Sequence, residues 1–155
     1  MTGAIAIRQL GPADLASLRK LNSLFGEVFG DRDTYDGEPP DDCYCRALLS
    51  KDHIRVLVAL DGDEVVGGLV AYELDKLERA RSEFYIYDLA VKDTYRRRGI
   101  ATALIGRLRE IAARCGAWVI YVQADYADPP AIALYEKLGV REEVLHFDIA
   151  VDSGR

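Results

Sequence analysis

The chain has 155 residues, half of them hydrophobic, with 20 basic and 26 acidic side chains and a formal charge of −6. That length suits one domain with a core of its own, and the composition excludes extensive disorder. The acidic balance argues against a general nucleic-acid binder, which needs a broad basic face, and suits a cationic ligand.

In chain order, "AIAIRQL" alternates as a short strand and Gly11-Pro12 breaks it. Leu15, Leu18, Leu21, Leu24 and Phe25 then recur at helical spacing, with Phe29 extending the same stripe. "DRDTYDGEPPDD" has the composition of a loop. A short helix through Tyr44, Leu48 and Leu49 follows, with Asp41 or Asp42 near its start. "HIRVLVAL" and "EVVGGLVAYEL" flank Asp61-Gly62-Asp63 as a hairpin. A polar connection leads to "EFYIYDLAV", a third long strand.

"YRRRGIATALI" comes next, three arginines and a glycine in front of a helix whose apolar stripe includes Ile100, Leu104, Leu108 and Ile111. Gly116 is placed to end that helix. "AWVIYVQAD" is a strand, "DPPAIALYEKLG" a short helix with prolines in its first turn, and "VREEVLHFDIAV" a closing strand. The order β-α-α-β-β-β-α-β-α-β predicts an α/β fold: a mixed sheet flanked by helices, in one domain over residues 1–155.

The apolar runs are too short and too broken by charge to span a membrane, and "MTGAIAIRQL" lacks the pattern of a signal peptide. A cytoplasmic protein is the expectation. Three cysteines make no disulfide framework, and Cys43-x-Cys45 with His53 lacks the second ligand pair of a metal site, so no metal is expected.

A strand ending at Val91, a turn, and Gly99 opening a helix form a context suited to phosphate. Helix N-termini present unpaired N–H groups and partial positive charge. Glycine admits close approach, and Arg96, Arg97 and Arg98 add charge and forked donors. The stretch is neither a Walker loop nor a dinucleotide fingerprint. The bland alternative is a solvated basic turn.

Arg96-Arg97-Arg98-Gly99-Ile100-Ala101 resembles the [RQ]-x-x-G-x-[GA] signature of the GNAT acetyltransferases, and "LYEKLGV" at 134–140 resembles that family's second motif. The resemblance runs from Ile5 to about Ile149. "SEFYIYDLAV", "RRGIATALI", "VIYVQADY", "LYEKLG" and "REEVLHFDI" are further similar to the type I aminoglycoside 3-N-acetyltransferases, a bacterial resistance group that acetylates the 3-amino group of 2-deoxystreptamine in gentamicin-like drugs. The resemblance implies acetyl-coenzyme A as cosubstrate, a GNAT-like sheet with splayed strands, and a homodimer. It assigns the coenzyme to Leu89, Ala90 and Val91 on the splayed strand, to residues 96–98 and Gly99, Ile100, Ala101 and Thr102 at the turn, and to Asp128 and Tyr135. At Asp128 many members carry Asn, a departure from the pattern.

Such a reaction must remove a proton from an ammonium, stabilise an oxyanion and settle a departing thiolate. The resemblance gives Tyr135 the role of donor to the coenzyme sulfur; a phenol near pKa ~10 facing a thiol near ~8.5 donates usefully only as thiolate charge develops. Its bland alternative is helix packing. Asp88 interrupts an apolar strand, and the resemblance implies that it contacts a substrate amine, as base or as anchor; its alternative is a bulge-stabilising aspartate. Glu83, Asp125, Tyr126 and Asp148 are further candidates for a substrate wall, though isolated acids are commonly surface residues. Cys115 has no partnered base to make it a nucleophile. Three functions follow: aminoglycoside acetylation, a GNAT acting on a protein N-terminus, polyamine or other small amine, and a non-catalytic acyl-coenzyme A module.

Overall fold

The computed structural model describes residues 3–152, so both ends of the expected 1–155 domain lie outside the described residues. These fall into two compact units, divided between Gln123 and Ala124.

The first unit holds β1 (Ala6–Gln9), α1 (Leu15–Phe29), α2 (Arg32–Asp36), α3 (Asp42–Leu49), β2 (Ile54–Asp61), β3 (Glu64–Asp75), β4 (Ser82–Val91), a single 3₁₀ turn (Asp93–Tyr95), α4 (Ile100–Arg114) and β5 (Ala117–Val122). Its five strands stand in sequence order in one open sheet. β1 to β4 pair antiparallel, and β5 joins β4 in parallel after the α4 crossover. Tight turns permit the former; a parallel neighbour requires a long crossover.

Both faces of the sheet are covered. Val56 and Val58 share a cluster with Leu18, Leu21, Leu24 and Phe25 of α1 and with Cys45 and Leu49 of α3. Their neighbours Leu57 and Ala59 point the other way and are equally buried, on the face where α4 buries Leu104, Leu108 and Ile111. Each such leucine stabilises the fold by roughly 1.5–3 kcal/mol over an exposed one. Gly68 lets α1 approach β3, because a Cβ there would lie 2.7 Å from the Leu57 carbonyl oxygen and collide with Leu21.

Local signals set the ends of these elements. Asp41 caps α3 by accepting from the Tyr44 N–H at 2.8 Å, a contact worth ~1 kcal/mol. Gly62 takes φ 60° in the two-residue turn between β2 and β3. Gly116 follows α4 at φ 76°.

Two expectations are corrected. The stretch read as a loop from Asp31 contains α2, whose first turn is capped by the Asp31 side chain accepting from the Thr34 N–H at 3.2 Å. The proline and aspartate content masked one helical turn. In the second unit α5 (Pro129–Leu138) forms as expected, with Asp128 at its N-cap accepting from the Ala131 N–H at 3.2 Å. No residue of α5 is buried, and Leu134 is only half-buried. The closing strand is not formed: residues 140–152 carry no strand pairing among the described residues. A strand exists only through a ladder partner, which alternation in sequence cannot supply.

Candidate active site

The site in the first unit grows from an irregularity in β4. Opposite β3, Val70 faces Asp88 while Ala71 faces Ile86, so Tyr87 is an extra, unpaired residue. This β-bulge re-aims the strand where Asp88 begins its second half. On its other side, β4 pairs with β5 only as far as Ile86 opposite Val122, then runs on to Val91 with β3 alone. Leu89, Ala90 and Val91 therefore lie where the flank facing β5 has no ladder. Backbone groups on such a flank must find another partner.

Asp88 is half-buried, and its Oδ1 accepts a 2.9 Å hydrogen bond from the Tyr35 hydroxyl of α2. Burial pushes the carboxyl above its ordinary range, and the Tyr35 bond pulls it partly back. The Tyr35 phenol is itself raised, by burial first and then by its bond to Asp88, so it stays protonated and donates. Tyr35 packs against Phe25 and Phe29, with ring centroids 5.9 and 5.7 Å away. Tyr72 and Tyr85 are also raised, mainly by burial and in part by the Asp88 charge. Tyr87 meets Tyr72 and Tyr85 edge-on at 6.1 and 5.8 Å, and Tyr85 stacks on Tyr121 at 4.8 Å. Asp88 is thus a carboxylate in an aromatic surround, a setting that suits an ammonium group.

Tyr35 was not among the residues singled out from sequence. The Asp31-x-x-Thr34 cap and the continuation of the Phe25–Phe29 stripe were the available signals.

The arginine turn closes the same unit. Arg97 has φ 64° and Gly99 φ 75°, and Gly99 heads α4 with no side chain capping the helix. Residues alternating into left-handed conformation turn successive N–H groups inward as an anion-binding concavity. A Cβ at Gly99 would meet nothing within 4 Å, so the space before α4 is open. Arg96 pairs with Asp93 at 2.8 Å, Arg98 lies over the Tyr95 ring at 4.8 Å, and all three arginines are exposed. Tyr95 is anchored by donating to Asp61 Oδ2 at 2.7 Å. Ile100 is buried and fastens α4 to the core, while Ala101 is half-buried and Thr102 exposed. This arrangement fits a pyrophosphate: uncapped N–H groups, a positive helix end and exposed guanidinium forks.

Glu83 lies five positions before Asp88 on β4, roughly 16 Å along the strand at about 3.3 Å per residue. It accepts from the Trp118 indole N–H at 3.2 Å and pairs with Lys76 at 3.6 Å, so the fold does not bring it to Asp88. A shallow concavity of about 520 Å³, lined in part by Arg19, Lys20, Glu27, Glu64 and Lys92, includes neither Asp88 nor the arginine turn.

In the second unit, burial first and then the Asp128 charge push the Tyr135 phenol up to about 12, so it is a neutral donor near neutrality. Asp125 accepts from the Ala127 N–H at 2.9 Å, which shapes the turn before α5. Tyr126 is exposed beneath the Arg141 guanidinium at 5.7 Å, and Asp148 is exposed and pairs with His146 at 2.8 Å.

Among the described residues no helix is long and apolar enough to cross a membrane. The chain is similar to an aminoglycoside acetyltransferase from an uncultured soil metagenomic sample, at 56% identity and a TM-score of 0.95 over 97% of this chain and 100% of that one. A second soil aminoglycoside acetyltransferase, solved in complex with sisomicin, matches at 31% identity and a TM-score of 0.89 over 96% of this chain and 97% of that one. An N-alpha-acetyltransferase of Sulfurisphaera tokodaii is 31% identical over 90 residues, 51% of this chain and 54% of the relative, so the match spans about half the length of that curated protein. The model of the acetyltransferase (GNAT) family matches residues 18–140. The splayed β4, the uncapped start of α4 and that match lead to one conclusion: the chain belongs to the GNAT acetyltransferase family.

Proposed function

We propose that this chain transfers an acetyl group from acetyl-coenzyme A to the 3-amino group of a gentamicin-like 2-deoxystreptamine aminoglycoside, acting as a cytoplasmic homodimeric resistance enzyme. The observation that carries the reading is the end-to-end likeness, at 56% identity, to a soil aminoglycoside acetyltransferase. The 3-amino position rests on the resemblance to the type I enzymes, and the partly desolvated Asp88 supplies the anionic contact that a polyamine drug requires.

When bound, acetyl-coenzyme A supplies an activated thioester. The N–H groups at the start of α4 and the guanidinium groups of Arg97 and Arg98 would hold its pyrophosphate. The unladdered backbone of Leu89–Val91 would orient its pantetheine arm. Asp88 Oδ1 and Oδ2 receive the substrate ammonium, with the Tyr35 hydroxyl fixing the carboxylate's rotamer. Asp88 either takes the amine proton directly or passes it through a water. By the family resemblance Tyr135 Oη would serve as donor to the coenzyme sulfur; Asp128 caps α5, and burial first and then the Asp128 charge raise that phenol.

Acetyl-coenzyme A turnover with gentamicin, spermidine and an N-terminal peptide in parallel wells tests the reading, with the acetylated position assigned by NMR. Turnover confined to gentamicin and acetylation at N3 are expected. Preference for the peptide would favour the second reading, an N-terminal acetyltransferase, which the partial match to the Sulfurisphaera protein supports.

A further inference from the structure

The arginine turn is strained and self-repelling. Arg96, Arg97 and Arg98 place three like charges in sequence, and Arg97 is, among the described residues, the one non-glycine with a positive φ, 64°. A residue in that conformation persists only where its surroundings hold it. Those surroundings are the hairpin of β2 and β3, in the same unit. The Lys92 N–H donates to the Val66 carbonyl at 2.8 Å, and the Lys92 ammonium pairs with Glu64 at the start of β3. The Tyr95 N–H donates to the Lys92 carbonyl at 2.8 Å. The half-buried Tyr95 side chain reaches Asp61, the last residue of β2, with a 2.7 Å bond. That bond first, and then burial, raise the phenol, so Tyr95 stays the donor.

The arginines of the turn are held differently. Arg96 pairs with Asp93 at 2.8 Å. No carboxylate of the first unit pairs with Arg98 among the described residues; its guanidinium carbon lies 4.8 Å from the centroid of the Tyr95 ring. The difference matters chemically. A carboxylate takes up the forked N–H donors of an arginine and offsets its charge, whereas a ring face attracts the planar cation without using an N–H. A guanidinium held by a ring is oriented and still able to give a phosphate two parallel bonds.

We propose that Tyr95 is a positioning residue for coenzyme binding: its ring holds Arg98 for the pyrophosphate, and Asp61 fixes that ring from the β2–β3 hairpin. The inference rests on the reading of the arginine turn as the pyrophosphate site. Tyr95 touches no ligand and acts through Arg98.

Calorimetric binding of acetyl-coenzyme A to Y95L, Y95F, R98M and Y95L/R98M tests the role, with melting temperatures as the control on folding. Y95L is expected to weaken binding about fivefold, the scale of an exposed cation–π contact. Y95F keeps the ring and loses only the Asp61 bond, so it should lose less than Y95L. In the R98M background, Y95L is expected to weaken binding no further, because the side chain it positions is gone. Losses that add in the double variant overturn the proposal, as do a Y95L protein that binds like the wild type and a Y95F protein as weak as Y95L. A truncated ligand gives the readout that a merely structural role would not leave intact. Acetyl-pantetheine ends before the pyrophosphate, and NMR titration is expected to give Y95L and the wild type the same affinity for it. Equal losses for both ligands would mean a disturbed fold and overturn the role. Wild-type affinity in R98M would defeat the pyrophosphate reading and the inference with it, whereas a weakened R98M beside an unaffected Y95L removes only the role of Tyr95.

Discussion

Asp88 is held between opposing influences, burial raising its carboxyl pKa and the Tyr35 hydroxyl lowering it, and that balance is testable by pH. The groups facing it are Tyr35 from α2, Tyr72 from β3 and Tyr85 and Tyr87 from β4. The Tyr35, Tyr72 and Tyr85 phenols are raised above their ordinary range, so the acid limb of kcat/KM follows Asp88. The limb is expected above the ordinary carboxylate range, with activity gained as pH rises through it. Y35F removes the one bond favouring the carboxylate, so its pKa rises further and the limb moves to higher pH. A merely structural Tyr35 would lower activity at every pH without moving the limb. D88N should cost about ten- to hundredfold in kcat/KM for the drug, the value of a charge-assisted hydrogen bond of roughly 1.5–3 kcal/mol, while calorimetric binding of acetyl-coenzyme A is unchanged. If Asp88 only anchors, KM carries the loss; if it is also the base, kcat falls at saturating drug. Y135F should lower turnover about 10²-fold with both affinities nearly intact; unchanged turnover under chemistry-limited conditions would return Tyr135 to a packing role.

At the scale of elements, function collects where regular structure ends. The bulge at Tyr87 and the early stop of β5 at Val122 open one flank of β4, and α4 begins there without a cap. A bulky side chain at Gly99 meets open space in the protein, but it must adopt φ 75° and would occupy the ligand's approach. G99V is therefore expected to lose acetyl-coenzyme A affinity far beyond its loss of thermal stability, and R98E to lose affinity with little change in melting. Calorimetry on both folded variants decides; wild-type affinity in each would remove the cradle. α2 makes the complementary contribution, since its Asp31 cap fixes the turn that carries Tyr35. Deleting such a cap costs ~1 kcal/mol, so D31A should reproduce part of the Y35F shift.

For the whole molecule, the proposed homodimer would couple folding to association. The melting temperature of the wild type is then expected to rise with protein concentration, as mass action requires. A concentration-independent wild-type transition would oppose the dimer.

How far the sequence reached differed with the range of the interaction. Periodicity and turn residues act within a few positions, so α1, α3, the hairpin at Gly62, α4 and α5 were legible, as was the turn at residues 96–99 that opens α4. Asp88 stood out because a charge in an apolar strand needs a local reason. Tertiary structure alone decided the rest. The bulge at Tyr87 depends on register with β3, the bond from Tyr35 to Asp88 joins residues 53 positions apart, and Glu83 bonds with Trp118 and Lys76. The alternation across residues 140–151 predicted a closing strand, yet no ladder forms among the described residues. Alternation records which side chains want burial; only a neighbouring edge makes a strand of it.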